Sequence, residues 1–321
     1  MTYWSLLSIS APVLAVMAAG GGVRRAGWLS QEADASLLRL VFNLLYPCLV
    51  FDSVLGNAAA RSPGNLATAP AAGASSLLLG FGLAFAMSRL VNVGAGPTRR
   101  AFRFAAGVHN YGYVAIPVVQ QLYPRAIGVL FVYTLGVELT LWTVGIAVLS
   151  GPGERALWRR LANPTVGAIL LGLALDVAGL DAHVPAAVRR GVHLLGACAV
   201  PLGLLLIGAT IADELGRRAS PGRPAEAPGR PWRAVLLAHA LRLGVLPLLV
   251  LTAARWLPLS VELKQVLVVQ AAMPAAVLPV VLTKHYRGDT RTALWISIGT
   301  NALGVLSIPS WLRLGMALVG V

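Results

Sequence analysis

Ten apolar runs follow one another through this chain, each long enough to cross a lipid bilayer and each separated from the next by a short polar gap. Their limits are 3–22, 36–55, 66–92, 101–122, 126–150, 164–180, 190–212, 233–255, 261–283 and 291–315. A spanning helix needs about 20 such residues. Backbone groups in hydrocarbon must pair among themselves, so the spans have to be helices unless they close into a barrel. Runs this long predict an all-α integral membrane protein. The composition agrees: 57% of the 321 residues are hydrophobic, 12% are charged, and the mean hydropathy is +0.74. Soluble domains average about 25% charged residues. Ten helices leave no room for a separate soluble domain. The N-terminal run has no basic leader, so it reads as the first spanning helix and not as a signal peptide.

The net charge is +14. In a soluble protein that would suggest nucleic acid, but here the arginines sit in the gaps between apolar runs. Counted over alternate gaps, 17 basic residues fall on one side and 7 on the other. The positive-inside rule therefore predicts a multi-pass protein of the cell (inner) membrane with both termini outside the cytoplasm. The longest gap, Asp213 to Arg233, is rich in Pro, Gly and Arg and reads as a flexible cytoplasmic linker. Cys48 and Cys198 lie in apolar runs and read as packing residues. The five histidines are scattered, and no Walker A, HExxH or GxSxG motif occurs. Neither an enzyme nor a cofactor or metal site is expected, and no nucleic-acid partner.

The fourth run contains GVHNYGYVAIPVVQQLYP, Gly107 to Pro124. His109, Asn110 and Tyr111 stand beside Gly112 at mid-bilayer depth, followed by Pro117. Gly and Pro weaken the helical ladder. Freed backbone is tolerated at that depth only inside protein or along a water-filled cavity. A broken helix at a polar site is expected, as in many transporters. Ten runs divide into five and five, and two halves of five have opposite orientations across the membrane. Residues 1–150 form one repeat, 151–163 a cytoplasmic linker and 164–321 the second. The AIPVV of run four (Ala115 to Val119) recurs as VLPVV in run nine (Val277 to Val281), at the equivalent place in an inverted repeat.

The whole chain resembles the auxin efflux carrier family in its broad sense, which includes bacterial permeases. The resemblance rests on Asn43 and Pro47 in run two, on Asn110 and Pro117 seven residues apart in run four, and on Asn163-Pro164 opening the second half. It rests also on Pro274, Pro279, Lys284 and Tyr286 in run nine. The chain departs from the family at His109, where Gly or Pro is usual, and at Ala115, where Gly is common. It also lacks the long hydrophilic insertion of many plant members. The resemblance implies a scaffold of runs one, two, six and seven. It implies a transport unit of runs three to five and eight to ten, with four and nine crossing at their breaks. An elevator-like movement follows from it, as does a homodimer through the scaffold, in an architecture shared with bile acid:sodium symporters.

The expected substrate-binding set is Asn110, Tyr111, Gly112, Pro117, Gln270, Met273, Pro274 and Arg242. Asn110 both donates and accepts. Tyr111 and Tyr113 either line the cavity or pack. Gly112 and Pro117 shape the backbone, Gln270 binds substrate or bridges the crossing, and Met273 packs. Half-helix N-termini beyond the breaks favour an anion. Glu138, at the centre of run five, must be paired or protonated at that depth, which makes it the candidate for proton coupling or else a structural partner. Arg242, with His239 one turn before it, either binds an acid or pairs with Glu138. Arg39 and Asp52 lie at the ends of run two and read as snorkelling residues. Asn301 roughly mirrors Glu138 across the repeat. The expected activity is secondary transport of a small organic anion, a mono- or dicarboxylate such as malate or malonate. The alternatives are a sodium-coupled symporter of the bile acid type and a channel or sensor using the same cavity. The coupling ion is a proton or sodium.

Overall fold

In the computed structural model, residues 1–91, 93–150, 163–219 and 232–321 are described. Most of the expected 151–163 linker and the centre of the Asp213 to Arg233 gap lie outside those residues. Among the described residues the chain is helical, with no strand and one isolated antiparallel bridge, His109 to Ala275.

Seven helices among the described residues have the length and composition to cross a membrane. They are α1 (Tyr3–Arg25), α2 (Gln31–Val54), α3 (Pro63–Leu90), α6 (Pro124–Ser150), α8 (Ala186–Asp213), α9 (Trp232–Trp256) and α12 (Thr290–Val319). Helix α7 (Pro164–Val177) is apolar but short. Its start is written in Asn163-Pro164: the Asn163 side chain accepts from Val166 N at 2.8 Å, and proline fills the first helical position, where no N–H is needed. Among the described residues, the other α-helices come as two pairs. Helices α4 (Gly96–Gly107) and α5 (Ala115–Leu122) make up run four, while α10 (Val261–Ala272) and α11 (Leu278–His285) make up run nine. Each pair has a 12-residue first half and an 8-residue second half.

The prolines of these pairs act differently from the plain expectation of a broken ladder. Pro117 is the third residue of α5 and Pro279 the second of α11. Both start a half-helix, and the breaks lie before them, at 108–114 and 273–277. Pro47 and Pro247 follow wide, π-type turns at Val41–Leu45 and Leu241–Val245. A third wide turn, Leu141–Gly145, lies in α6 without a proline. Such turns re-aim side chains inside an otherwise regular helix.

Small residues set the closest helix contacts, as is usual where lipid supplies no hydrophobic drive between helices. A Cβ on Gly208 of α8 would stand 1.8 Å from Met17 O of α1, and one on Gly136 of α6 would stand 1.8 Å from Pro70 O of α3. Packing separates the helices into α1, α2, α7 and α8 on one side and α3–α6 with α9–α12 on the other. The two groups meet chiefly where α1 runs along α12 and where the second half of α2 lies on α6. Outward faces carry exposed leucines such as Leu170, Leu171, Leu236, Leu248, Leu303 and Leu306. A hydrocarbon surround stabilises those faces; water would not.

Candidate functional site

The two breaks are joined through their backbones. After α4 the chain is extended at Val108, and after α10 it is extended at Met273. The extended stretches run antiparallel. Asn110 N–H donates to Pro274 O at 2.8 Å and Ala276 N–H donates to Val108 O at 3.0 Å. Side chains take up much of the rest of the freed backbone. Gln270 Nε2 donates to Tyr111 O at 3.2 Å. From α12, Thr300 Oγ1 accepts from Ala275 N at 3.2 Å, Asn301 Nδ2 donates to Ala275 O at 2.9 Å, and Ser297 Oγ donates to Ala276 O at 2.6 Å. The second break is therefore held by a polar belt on α12, which satisfies groups that hydrocarbon could not.

A cavity of about 160 Å³ opens in front of the joined breaks. The first break contributes Asn110, Tyr111, Gly112 and Tyr113, and the second contributes Ala276 and Val277. Leu278 adds the N-terminus of α11. The opposite wall belongs to the other helix group: Phe42 and Tyr46 of α2, Thr165 of α7, and Gly203 and Thr210 of α8. Glu138 lines the cavity from α6, and no basic side chain among the described residues does. Both of its oxygens are engaged: Oε1 accepts from Tyr111 OH at 2.8 Å and Oε2 from Trp142 Nε1 at 2.7 Å. Trp142 lies in the wide turn that follows Glu138, so that turn aims its indole back at the carboxylate. Most of the wall is apolar, and Tyr46 and Tyr113 pack against one another at 6.2 Å.

The structure brings Asn110, Tyr111, Gly112 and Glu138 to this cavity and places the other expected site residues elsewhere. Gln270 is buried and bridges the crossing, with its Oε1 unpartnered. Met273 is fully buried core. Pro274 offers its carbonyl to Asn110 and its ring to Gly304. Pro117 lines a separate cavity of about 380 Å³, with Asp52, Gln120 and His193. Asp52 meets His193 Nδ1 there at 2.9 Å, a partner that a snorkelling reading of Asp52 does not provide. Arg242 is buried away from the cavity wall and does not pair with Glu138. Glu138 accepts from Tyr111 and Trp142, while Arg242 Nε and Nη1 have no partner among the described residues. Asn43 is exposed and donates to Arg39 O at 2.8 Å, within its own helix. Tyr46, absent from the expected set, faces the cavity from the residue before Pro47. Its position beside that proline was the one available signal.

A cavity walled by two joined helix breaks and closed by a second helix group, inside an apolar helical body, defines a membrane transporter. The family model described as membrane transport protein matches residues 7–158 and 153–312. The chain belongs to that family, the auxin efflux carrier family. A relative from Methanothermobacter thermautotrophicus, described as an uncharacterized transporter, is 26% identical over 309 residues, which is 93% of this chain and 95% of the relative.

Proposed function

We propose that this protein is a secondary transporter that carries a small organic anion, a mono- or dicarboxylate, across the cell (inner) membrane by elevator-like alternating access. One observation carries this reading: the cavity wall is shared between joined breaks on one helix group and aromatic and small residues on the other. Substrate held at the breaks would travel with α3–α6 and α9–α12 against a scaffold of α1, α2, α7 and α8. The matched 12- and 8-residue halves favour two inverted five-helix repeats and ten crossings in all.

Asn110 is the substrate's hydrogen-bonding partner, with Tyr111 and Gly112 beside it, and the N-terminus of α11 adds partial positive charge. Glu138 makes proton coupling a requirement of this reading. An acid entering beside an ionised carboxylate in a small apolar cavity meets a like charge, so Glu138 takes a proton when the anion binds. The cavity is below the roughly 300–1,000 Å³ typical of drug-sized sites, which suits a small acid.

The test is uptake by purified protein in proteoliposomes, with a panel of carboxylates and imposed proton or sodium gradients. Saturable, proton-driven uptake with counterflow is expected. Sodium-driven uptake would move the protein to the bile acid type of mechanism, and non-saturating flux without counterflow would make it a channel.

A further inference from the structure

The corner where α3 ends and α4 begins gathers arginines on one aromatic ring. Arg89, at the end of α3, holds its guanidinium carbon 4.3 Å from the centre of the Phe85 ring. Arg103 of α4 holds its own 4.1 Å from the same centre. Ser88 fixes the arrangement: its Oγ donates to Phe85 O at 2.7 Å and accepts from Arg103 Nε at 2.7 Å. Arg99, one turn before Arg103 on the same face of α4, donates Nε to Gly94 O at 3.0 Å. Arg99 and Arg103 thus spend Nε on the protein. Their Nη groups are not enclosed and have no hydrogen-bond partner among the described residues. No ion pair among the described residues involves Arg89, Arg99 or Arg103. Asp289 reaches α4 from the start of α12, but it is bonded to Thr98 and Thr292.

The ring attracts each guanidinium, but like charges held this close repel one another. A phosphate group relieves that repulsion, because it accepts from several arginines at once through paired N–H bonds. Beyond the arginines the outward face of α3 is apolar. Leu78, Gly82, Phe85 and Arg89 recur at helical spacing on one face, and all four are exposed. A Cβ on Gly82 would meet nothing within 4 Å, so the face is notched between Leu78 and Phe85. We infer that the Arg89–Phe85–Arg103 corner, with Arg99, binds the phosphate of an anionic phospholipid whose acyl chain lies along the Leu78–Gly82–Phe85 face. Basic residues at the ends of spanning helices attract anionic headgroups in general. This corner adds guanidiniums that the protein holds in place through Phe85, Ser88 and Gly94, and an apolar stripe that favours a lipid over a free phosphate. The site is separate from the transport cavity, whose lining includes none of these residues, and it does not rest on the identity of the transported substrate.

The experiment uses the full chain in nanodiscs of equal parts phosphatidylglycerol and phosphatidylcholine. Lipids that stay bound after release into detergent are counted by native mass spectrometry. Wild-type protein should retain phosphatidylglycerol, near one per chain, in preference to phosphatidylcholine. The Arg89→Gln/Arg103→Gln protein should lose that preference by about 10- to 30-fold. Arg287→Gln/Arg291→Gln removes two exposed arginines from the turn before α12 and the start of that helix, and should retain the lipid as wild type does. Soluble glycerol phosphate at millimolar concentration should not displace it. Equal retention of the two lipids by the wild-type protein overturns the inference even if the Arg89/Arg103 variant does not fold. So does unchanged retention in that variant. An equal loss in the Arg287/Arg291 variant would reduce the effect to diffuse surface charge and overturn it as well. Displacement by glycerol phosphate would make the ligand a free phosphate ester and overturn the lipid assignment.

Discussion

The main-chain N–H of Asn110 donates to the carbonyl of Pro274 at 2.8 Å, across two helix breaks that lie 164 residues apart in the chain. The backbone of Asn110 thus holds the crossing together, while its side chain faces the cavity. Asn110→Ala removes the second function and keeps the first. A hydrogen bond to a charged group is worth about 1.5–3 kcal/mol. The Michaelis constant for uptake should therefore rise about 10- to 100-fold with the thermal unfolding temperature unchanged. An unaltered Michaelis constant would remove Asn110 from the binding set.

Glu138 receives one neutral donor on each oxygen, from Tyr111 and Trp142. Glu138→Gln keeps the shape but offers one acceptor and one amide, and it cannot exchange a proton. With the proton and the acid entering together, as proposed, wild-type uptake should increase as the outer solution is acidified. The variant should lose that dependence and still catalyse substrate counterflow. Measurement of both modes in the same vesicles checks the coupling role: retained pH-driven accumulation in the variant would refute it.

Asn301 of α12 holds the second break by donating to Ala275 O at 2.9 Å and to Ser297 O at 2.8 Å. Asn301→Ala strands a buried carbonyl, at a cost of about 1–3 kcal/mol. Unfolding in detergent should shift downward by several degrees. Ser310→Ala, on an exposed turn of the same helix, should leave it in place.

Two glycines separate stability from movement. At Gly136, an added Cβ meets the rigid backbone of α3, so Gly136→Val should destabilise by about 1–3 kcal/mol or prevent folding. At Gly203 of α8, an added Cβ falls 2.1 Å from Tyr113 Cε1, at the wall between the two helix groups. The tyrosine ring can turn into the cavity, so Gly203→Ala should retain thermal stability and lose transport rate. Equal loss of stability in the two variants would argue against a sliding surface at Gly203.

Much of this protein is decided locally. An apolar run that spans lipid pairs its backbone within itself as a helix, except where protein takes up the freed groups, as at the breaks in runs four and nine. The helices from α1 to α12 therefore follow the ten runs closely. Asn110 and Gly112 also announced themselves, since polar and flexible residues at mid-run have few structural uses in hydrocarbon. Tertiary structure decided what a run of letters cannot encode, namely which groups across the chain take up a free donor or acceptor. It turned Pro117 from a helix breaker into the start of α5 and set it on a different cavity. It gave Glu138 to Tyr111 and Trp142 and buried Arg242 away from the cavity that Glu138 lines. It brought Tyr46 to the cavity wall and put Ser297, Thr300 and Asn301 behind the second break. The physical reason is range. Hydropathy and backbone pairing act within one segment, whereas hydrogen-bond and charge partners are chosen among side chains that only packing brings together.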